Sequence, residues 1–130
     1  PMDSGAGNVP PMHRIFDTPV AGVYPLYLAK VERKGRTRDE LDAVIRWLTG
    51  FDDAELARHI ESSATFREFF QAARLNPLSA QVTGVVCGVR VEQIEDPLMY
   101  RIRLLDKLVD ELAKGRPLAK VLRSETPAPA

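Results

Sequence analysis

Residues 84–98 read GVVCGVRVEQIEDPL, and the fold class turns on whether the first part of that run is helix or strand. With the preceding Val82 and Thr83 it forms VTGVVCGVRV, whose β-branched residues suit a pleated surface. The same letters also follow a helix-turn-helix order. A small residue ends one helix, an apolar residue and a glycine make the bend, and a branched residue anchors the next helix. Gly84, Cys87, Gly88, Val89 and Ile94 fall in that order. Helical signals flank the run on both sides and no second strand candidate exists elsewhere, so the run is read as helix and the chain as all-α.

Those flanking signals are regular. Thr37 with Glu40 three residues on forms a capping box, and Leu41, Val44, Ile45 and Leu48 then give an apolar stripe before Gly50 stops the helix. Asp52 with Glu55 offers a second box, with Phe51 and Leu56 placed as a hydrophobic staple across it, and Thr65 with Glu68 a third. Pro77 after Asn76 and Pro97 after Asp96 each put proline at a first helical position behind a good N-cap. The longest helix is expected over 97–114, with Leu98, Ile102, Leu105, Val109 and Leu112 on one face and Gly115 at its end. Lys107 with Glu111 and Asp110 with Lys114 are spaced as i, i+4 ion pairs on it. A short helix over 117–122 folds back. Thr18 and Pro19 open a helix through Lys34 that Pro25 is expected to break or kink, because proline lacks an N–H and crowds the preceding turn. This predicts a single all-α domain of five to six helices, with a helix-turn-helix-like corner and the long C-terminal helix as its central packing element.

A chain of 130 residues fits one domain able to bury a core without metal or disulfide. Hydrophobic residues make up 45% and charged residues 28%, the balance of an ordinary globular protein rather than a disordered one. The folded part is bounded at residues 13–123. The Gly- and Pro-rich residues 1–12 read as a disordered tail or vector-derived residues, with Met12 as the native start, and 124–130 as a second tail. Eighteen basic side chains balance eighteen acidic ones, so only a local patch could attract nucleic acid or an anionic membrane. One cysteine, Cys87, excludes an internal disulfide, and with only His13 and His59 a closed Cys/His zinc site cannot be built. No apolar run approaches the ~20 residues of a membrane span and no signal peptide is visible, so a cytoplasmic protein is expected.

The blocks HRIFD, VYPLYLAKVERKGRT, VIRWLTGF, TGVVCGVRVEQIEDPLM and LLDKLVDELAKGRP together resemble the bacterial family catalogued as domain of unknown function 2200, over about Met12 to Arg123. The resemblance implies a bacterial source and a small helical protein. It implies no activity, so it carries over no catalytic or binding residue.

Candidate sites therefore come from chemistry alone. A recognition helix needs several turns in the major groove and donors facing phosphates and base edges. Pro97 closes the helix after Gly88 early, and Glu92, Glu95 and Asp96 repel phosphate, which leaves Arg90 and Gln93 as contacts and favours a packing corner. Lys30, Arg33, Lys34, Arg36 and Arg38 cluster around Gly35, where they could hold an anion or nucleic acid at the next helix N-terminus or, more plainly, solvate a helix end. Cys87 could be a nucleophile if acidified, but inside VVCGV it reads as buried filler. Gly84 and Gly88 form G-x-x-x-G with no Lys-Ser/Thr behind it, so close backbone packing explains them better than a phosphate loop. His13 and Asp17 could pair as base and orienting carboxylate, or simply begin the fold. Tyr24, Tyr27 and Trp47 could wall a pocket, and Phe66, Phe69 and Phe70 should be core.

With no convergent catalytic set and no cofactor motif, the leading expectation is a non-enzymatic interaction module that binds a protein partner or a second copy of itself. A weak nucleic-acid binder using the basic turn is the alternative. A ligand binder or enzyme around His13, Asp17 and Cys87 is a third.

Overall fold

The computed structural model describes residues 14–123. Among them the chain forms a short 3-10 turn at Ile15–Asp17, then α1 (Val20–Glu32), α2 (Arg38–Thr49), α3 (Asp53–Glu61) and α4 (Phe66–Ala72). A 3-10 turn at Pro77–Gln81 leads into strands β1 (Val85–Val86) and β2 (Val89–Arg90) and a further 3-10 turn at Val91–Gln93. The long α5 (Pro97–Ala113) and the short α6 (Leu118–Val121) complete it. The all-α class and the long C-terminal helix stand, and α5 is the hub, packing against α1, α2, α4, α6, β1 and the 91–93 turn.

All three capping boxes form. The Thr37 hydroxyl accepts from the Glu40 N–H while the Glu40 carboxylate accepts from the Thr37 N–H, and Asp52/Glu55 and Thr65/Glu68 repeat the pattern. Each satisfies two backbone donors that a helix start otherwise leaves unpaired. Asn76 and Asp96 cap as expected in front of their prolines, although Pro77 opens a 3-10 turn rather than an α-helix. Gly50 ends α2 in the left-handed region at φ 75°. Leu41, Val44, Ile45, Leu48, Phe66, Phe69, Phe70, Ile102, Leu105, Leu108 and Leu112 fill the core.

Three expectations are corrected. The run 82–91 is not a helix-turn-helix corner but an antiparallel hairpin, Val85 opposite Arg90 and Val86 opposite Val89. Its two turn residues, Cys87 and Gly88, both have positive φ, 51° and 79°, the backbone of the tight turn whose twist matches paired strands. The hairpin is satisfied locally, because the Gly84 carbonyl accepts from Val91 N–H at 2.9 Å and the Glu92 carboxylate accepts from Gly84 N–H at 2.9 Å. Gly84 and Gly88 are thus conformational glycines. A Cβ on Gly88 would touch nothing within 4 Å, so close packing is not its reason. Second, Pro25 does not break α1, which runs through it from Val20 to Glu32. The helix is held from outside its own backbone. Val20 N–H donates to the Ala64 carbonyl at 2.8 Å and Phe66 N–H to the Thr18 carbonyl at 3.1 Å, so the α3–α4 loop pins its start. Third, Lys107 does not pair with Glu111. Its Nζ donates to the Val85 carbonyl at 3.2 Å, and buried Glu111 instead holds Arg123 at 2.6 Å and Arg116 at 3.2 Å, tying α6 and the turn before it to α5.

Candidate functional site

Two polar clusters lie along the inner side of α1. In the first, Tyr27 Oη donates to Asp106 Oδ1 at 2.5 Å, Arg103 donates to Asp106 Oδ2 at 2.7 Å, and Cys87 Sγ lies 3.9 Å from the same Oδ2. One turn further along each helix, Asp110 accepts from Lys30 at 3.3 Å and Lys114 at 3.0 Å. One carboxylate, Asp106, therefore joins α1, α5 and the hairpin tip. Burial raises the Tyr27 phenol well above its ordinary value, and the Asp106 charge beside it adds to the effect. Partial desolvation of its sulfur against α5 raises the Cys87 thiol although the residue as a whole is exposed, again with Asp106 opposing the thiolate. Burial pushes the Asp110 carboxyl up, yet the hydrogen bonds from Lys114 and Lys30 outweigh it and hold the group below its ordinary range. An acidified nucleophile is the opposite of what surrounds Cys87.

The second cluster centres on Tyr24, whose Oη donates to Asp42 Oδ1 at 2.6 Å while the Arg38 guanidinium lies 6.0 Å from its ring centroid. Burial and the Asp42 hydrogen bond raise this phenol as well. The open cleft beside it, about 420 Å³, is walled by Leu56, Ala57 and Ile60 and rimmed by Asp39, Glu61 and the Arg46–Asp53 pair.

The residues singled out in sequence distribute as follows. Tyr27 and Cys87 converge on Asp106, and Tyr24 stands on the separate Asp42 cluster. Asp17 is exposed and pairs with Arg67 at 3.3 Å. Trp47 is half-buried against the core, and its carbonyl accepts from Asn76. His13 lies outside the described residues. Cys87 is exposed at the hairpin tip rather than buried filler.

The basic turn is largely committed within the chain. Arg36 is mostly buried and donates to Glu40 at 2.8 Å, Lys30 is held by Asp110, and Arg38 lies on Tyr24. The N-terminus of α2, the expected anion seat, is filled by its own Glu40 carboxylate. Arg90 pairs with Glu92 at 3.2 Å. Arg33 and Lys34 are exposed and make no ion pair among the described residues.

Sequence reasoning missed Asp106, Arg103 and Asp42, whose partners lie far away in the chain. Asp110 was legible only as a partner of Lys114.

A second feature is apolar. On a helix, positions 22, 25, 26 and 29 share one face, and in α1 these are Gly22, Pro25, Leu26 and Ala29, all exposed. Leu26 is 65% exposed, the most exposed of the large apolar side chains among the described residues.

A family model described as "Uncharacterized protein conserved in bacteria (DUF2200)" matches residues 14–123. The chain belongs to this family. Among solved structures it is similar to the crystal structure of uncharacterized protein SP1917, with 41% sequence identity and a TM-score of 0.81 over 86% of this chain and 93% of that one. No curated protein matches. Among the described residues of this family member, no helix is long and apolar enough to cross a membrane.

Proposed function

We propose that the protein is a non-enzymatic interaction module that binds protein through the outer face of α1. The observation that carries this reading is Leu26, 65% exposed at the middle of the Gly22, Pro25, Leu26, Ala29 stripe. A single exposed leucine is ordinary, but a helix apolar on every side is normally covered on every side. In α1, VAGVYPLYLAKVE, only Lys30 and Glu32 carry charge. Val20, Tyr24 and Val31 are buried inward, while the opposite face meets solvent. Contiguous exposed apolar surface marks contact sites in soluble proteins. The basic turn supports a nucleic-acid reading less well, since Lys30, Arg36, Arg38 and Arg90 are already engaged within the chain.

The test is a photoreactive phenylalanine analogue placed at position 26 in cells making the protein at native level, with the same label at exposed Arg58 as control. An adduct at 26 and none at 58 upholds the reading. Irradiation that leaves the position-26 protein at monomer mass refutes it.

A further inference from the structure

We infer that the outer face of α1 is covered by α1 of a second copy of this chain, antiparallel across a two-fold axis passing between Pro25 and Leu26. This rests on the reading of that face as a contact surface and names its occupant.

Three observations lead there. The first is Gly22. It lies within a right-handed helix, where glycine is costly relative to alanine, yet a Cβ built on it would meet nothing within 4 Å. Nothing among the described residues requires a missing side chain there. Close approach of another backbone on the exposed side does, as small residues permit wherever helices pack tightly.

The second is the pattern of the stripe. Antiparallel pairing about the point between residues 25 and 26 places Gly22 opposite Ala29 of the partner, a small residue against a small one. Pro25 then faces Leu26 twice, giving the two copies one shared apolar centre. A self-complementary patch of this kind is what a two-fold interface demands.

The third is charge. The same register carries Arg33 and Lys34, just past the C-terminal end of one helix, toward the N-terminal end of the other, where Asp17 stands in the 3-10 turn that precedes it. Arg33 and Lys34 are exposed and make no ion pair among the described residues, and Asp17 is exposed with one loose partner, Arg67 at 3.3 Å. Arg33 and Lys34 of each copy thus meet the Asp17 carboxylate of the other, shared with Arg67, twice per dimer. Eighteen basic and eighteen acidic residues give the chain no net charge, so two copies have no overall repulsion to overcome.

The experiment is sedimentation velocity of the full chain over a concentration series, with four variants. A monomer–dimer equilibrium is expected. Leu26→Glu abolishes it. Gly22→Ala weakens the dimer by about tenfold, because the helices can no longer approach, while raising the urea midpoint of the dilute monomer. A glycine with a purely internal role would not split those two readouts. Arg33→Glu weakens association by about threefold to tenfold, since the contact is made twice, and adding Asp17→Lys restores it. A monomer at every concentration overturns the inference, as does a dimer indifferent to both Leu26→Glu and Gly22→Ala. The position-26 label separates the two readings. A monomer that still cross-links to another protein overturns only the second copy, and a monomer with no adduct overturns both.

Discussion

Replacing Gly88 by alanine tests the hairpin with a change of sign rather than of size. In the structure Gly88 holds φ 79° at the second position of the hairpin turn. A Cβ added there would meet nothing within 4 Å, so no clash enters the result. What remains is the backbone. An L-residue in the left-handed region costs about 1–2 kcal/mol, offset by about 0.4–1 kcal/mol because alanine has less freedom than glycine in the unfolded chain. The net is a destabilisation of roughly 0–1.6 kcal/mol, up to about 6 °C in Tm for a domain of this size. Were residue 88 inside a continuous helix rather than in a turn, the same substitution would stabilise by up to about 1 kcal/mol, since glycine is the poorer helix former. Urea unfolding followed by Trp47 fluorescence and far-ultraviolet circular dichroism reads the difference, with coincident transitions as the two-state check. An unchanged urea slope with a lower midpoint is the expected result. A higher midpoint for Gly88→Ala refutes the turn geometry.

Other consequences follow from the polar contacts. Glu111→Ala leaves Arg123, whose side chain is 10% exposed, without its buried carboxylate, and should cost about 3 kcal/mol in chemical denaturation; a loss under about 1 kcal/mol would show that the pair does not anchor α6. Absorbance titration at 295 nm should find Tyr24 and Tyr27 ionising above their ordinary value of 10.0, and Tyr24→Phe or Tyr27→Phe should each remove part of the late phase. A raised folded pKa means the phenol contribution is intact below pH 10 and lost as pH climbs through the folded value, so the stability deficit of Tyr27→Phe should be constant from neutral pH to about 10 and shrink beyond it. Asp110 and Glu40 are shifted the other way, below 3.8 and 4.5. Their contribution is present above those values and lost as pH falls through the lower folded ones. Stability should decline below about pH 4.5, less steeply in Asp110→Asn, and equal acid slopes would contradict the ion pairing.

Local signals carried most of the helices and none of the hairpin, for a definable reason. A capping box is written within four residues, so Thr37–Glu40, Asp52–Glu55 and Thr65–Glu68 are legible from spacing alone. The hairpin escapes a search for a second strand candidate elsewhere, because both strands lie inside one run, two residues each, around Cys87 and Gly88. Such short strands show no extended alternation, and Cys-Gly is not a common hairpin turn pair. The same run also hides the exposure of Cys87. Its apolar neighbours read as burial, while the turn lifts it out and only Val86 points into the core. The Asp106 cluster was invisible for a different reason. Its partners Tyr27 and Cys87 lie 79 and 19 residues away in the chain, and nothing in the sequence joins them before the helices pack.

The contrast between α1 and the other helices bears on how a contact surface is presented. Helix α2 is written locally, with a capping box at one end, a left-handed glycine at the other and a clear apolar stripe between. Helix α1 has neither the capping box nor the clear stripe, its left-handed glycine, Gly35, comes three residues past its end, and it carries a glycine and a proline besides. Proline inside a helix removes one backbone hydrogen bond, at a cost of about 3 kcal/mol in an isolated helix, so tertiary contacts must make α1 helical. They do so at 24, 27 and 30, where Tyr24 reaches Asp42, Tyr27 reaches Asp106 and Lys30 reaches Asp110. Tyr24 and Tyr27 bind the helix away from Leu26, and Lys30, one turn on from Leu26, binds it from the margin of the outer stripe. Internal latches thus fix α1 against α2 and α5 and leave its outer stripe free of internal work. A surface held in this way loses little freedom when a partner arrives, and pre-organisation of that kind converts a small apolar patch into affinity. Breaking a latch should therefore weaken association without touching the interface. Tyr27→Phe keeps the ring and removes only the bond to Asp106, so it should reduce cross-linking at position 26 while Leu26 itself is unchanged. Full cross-linking in that variant would mean that the outer face is presented independently of the Asp106 cluster.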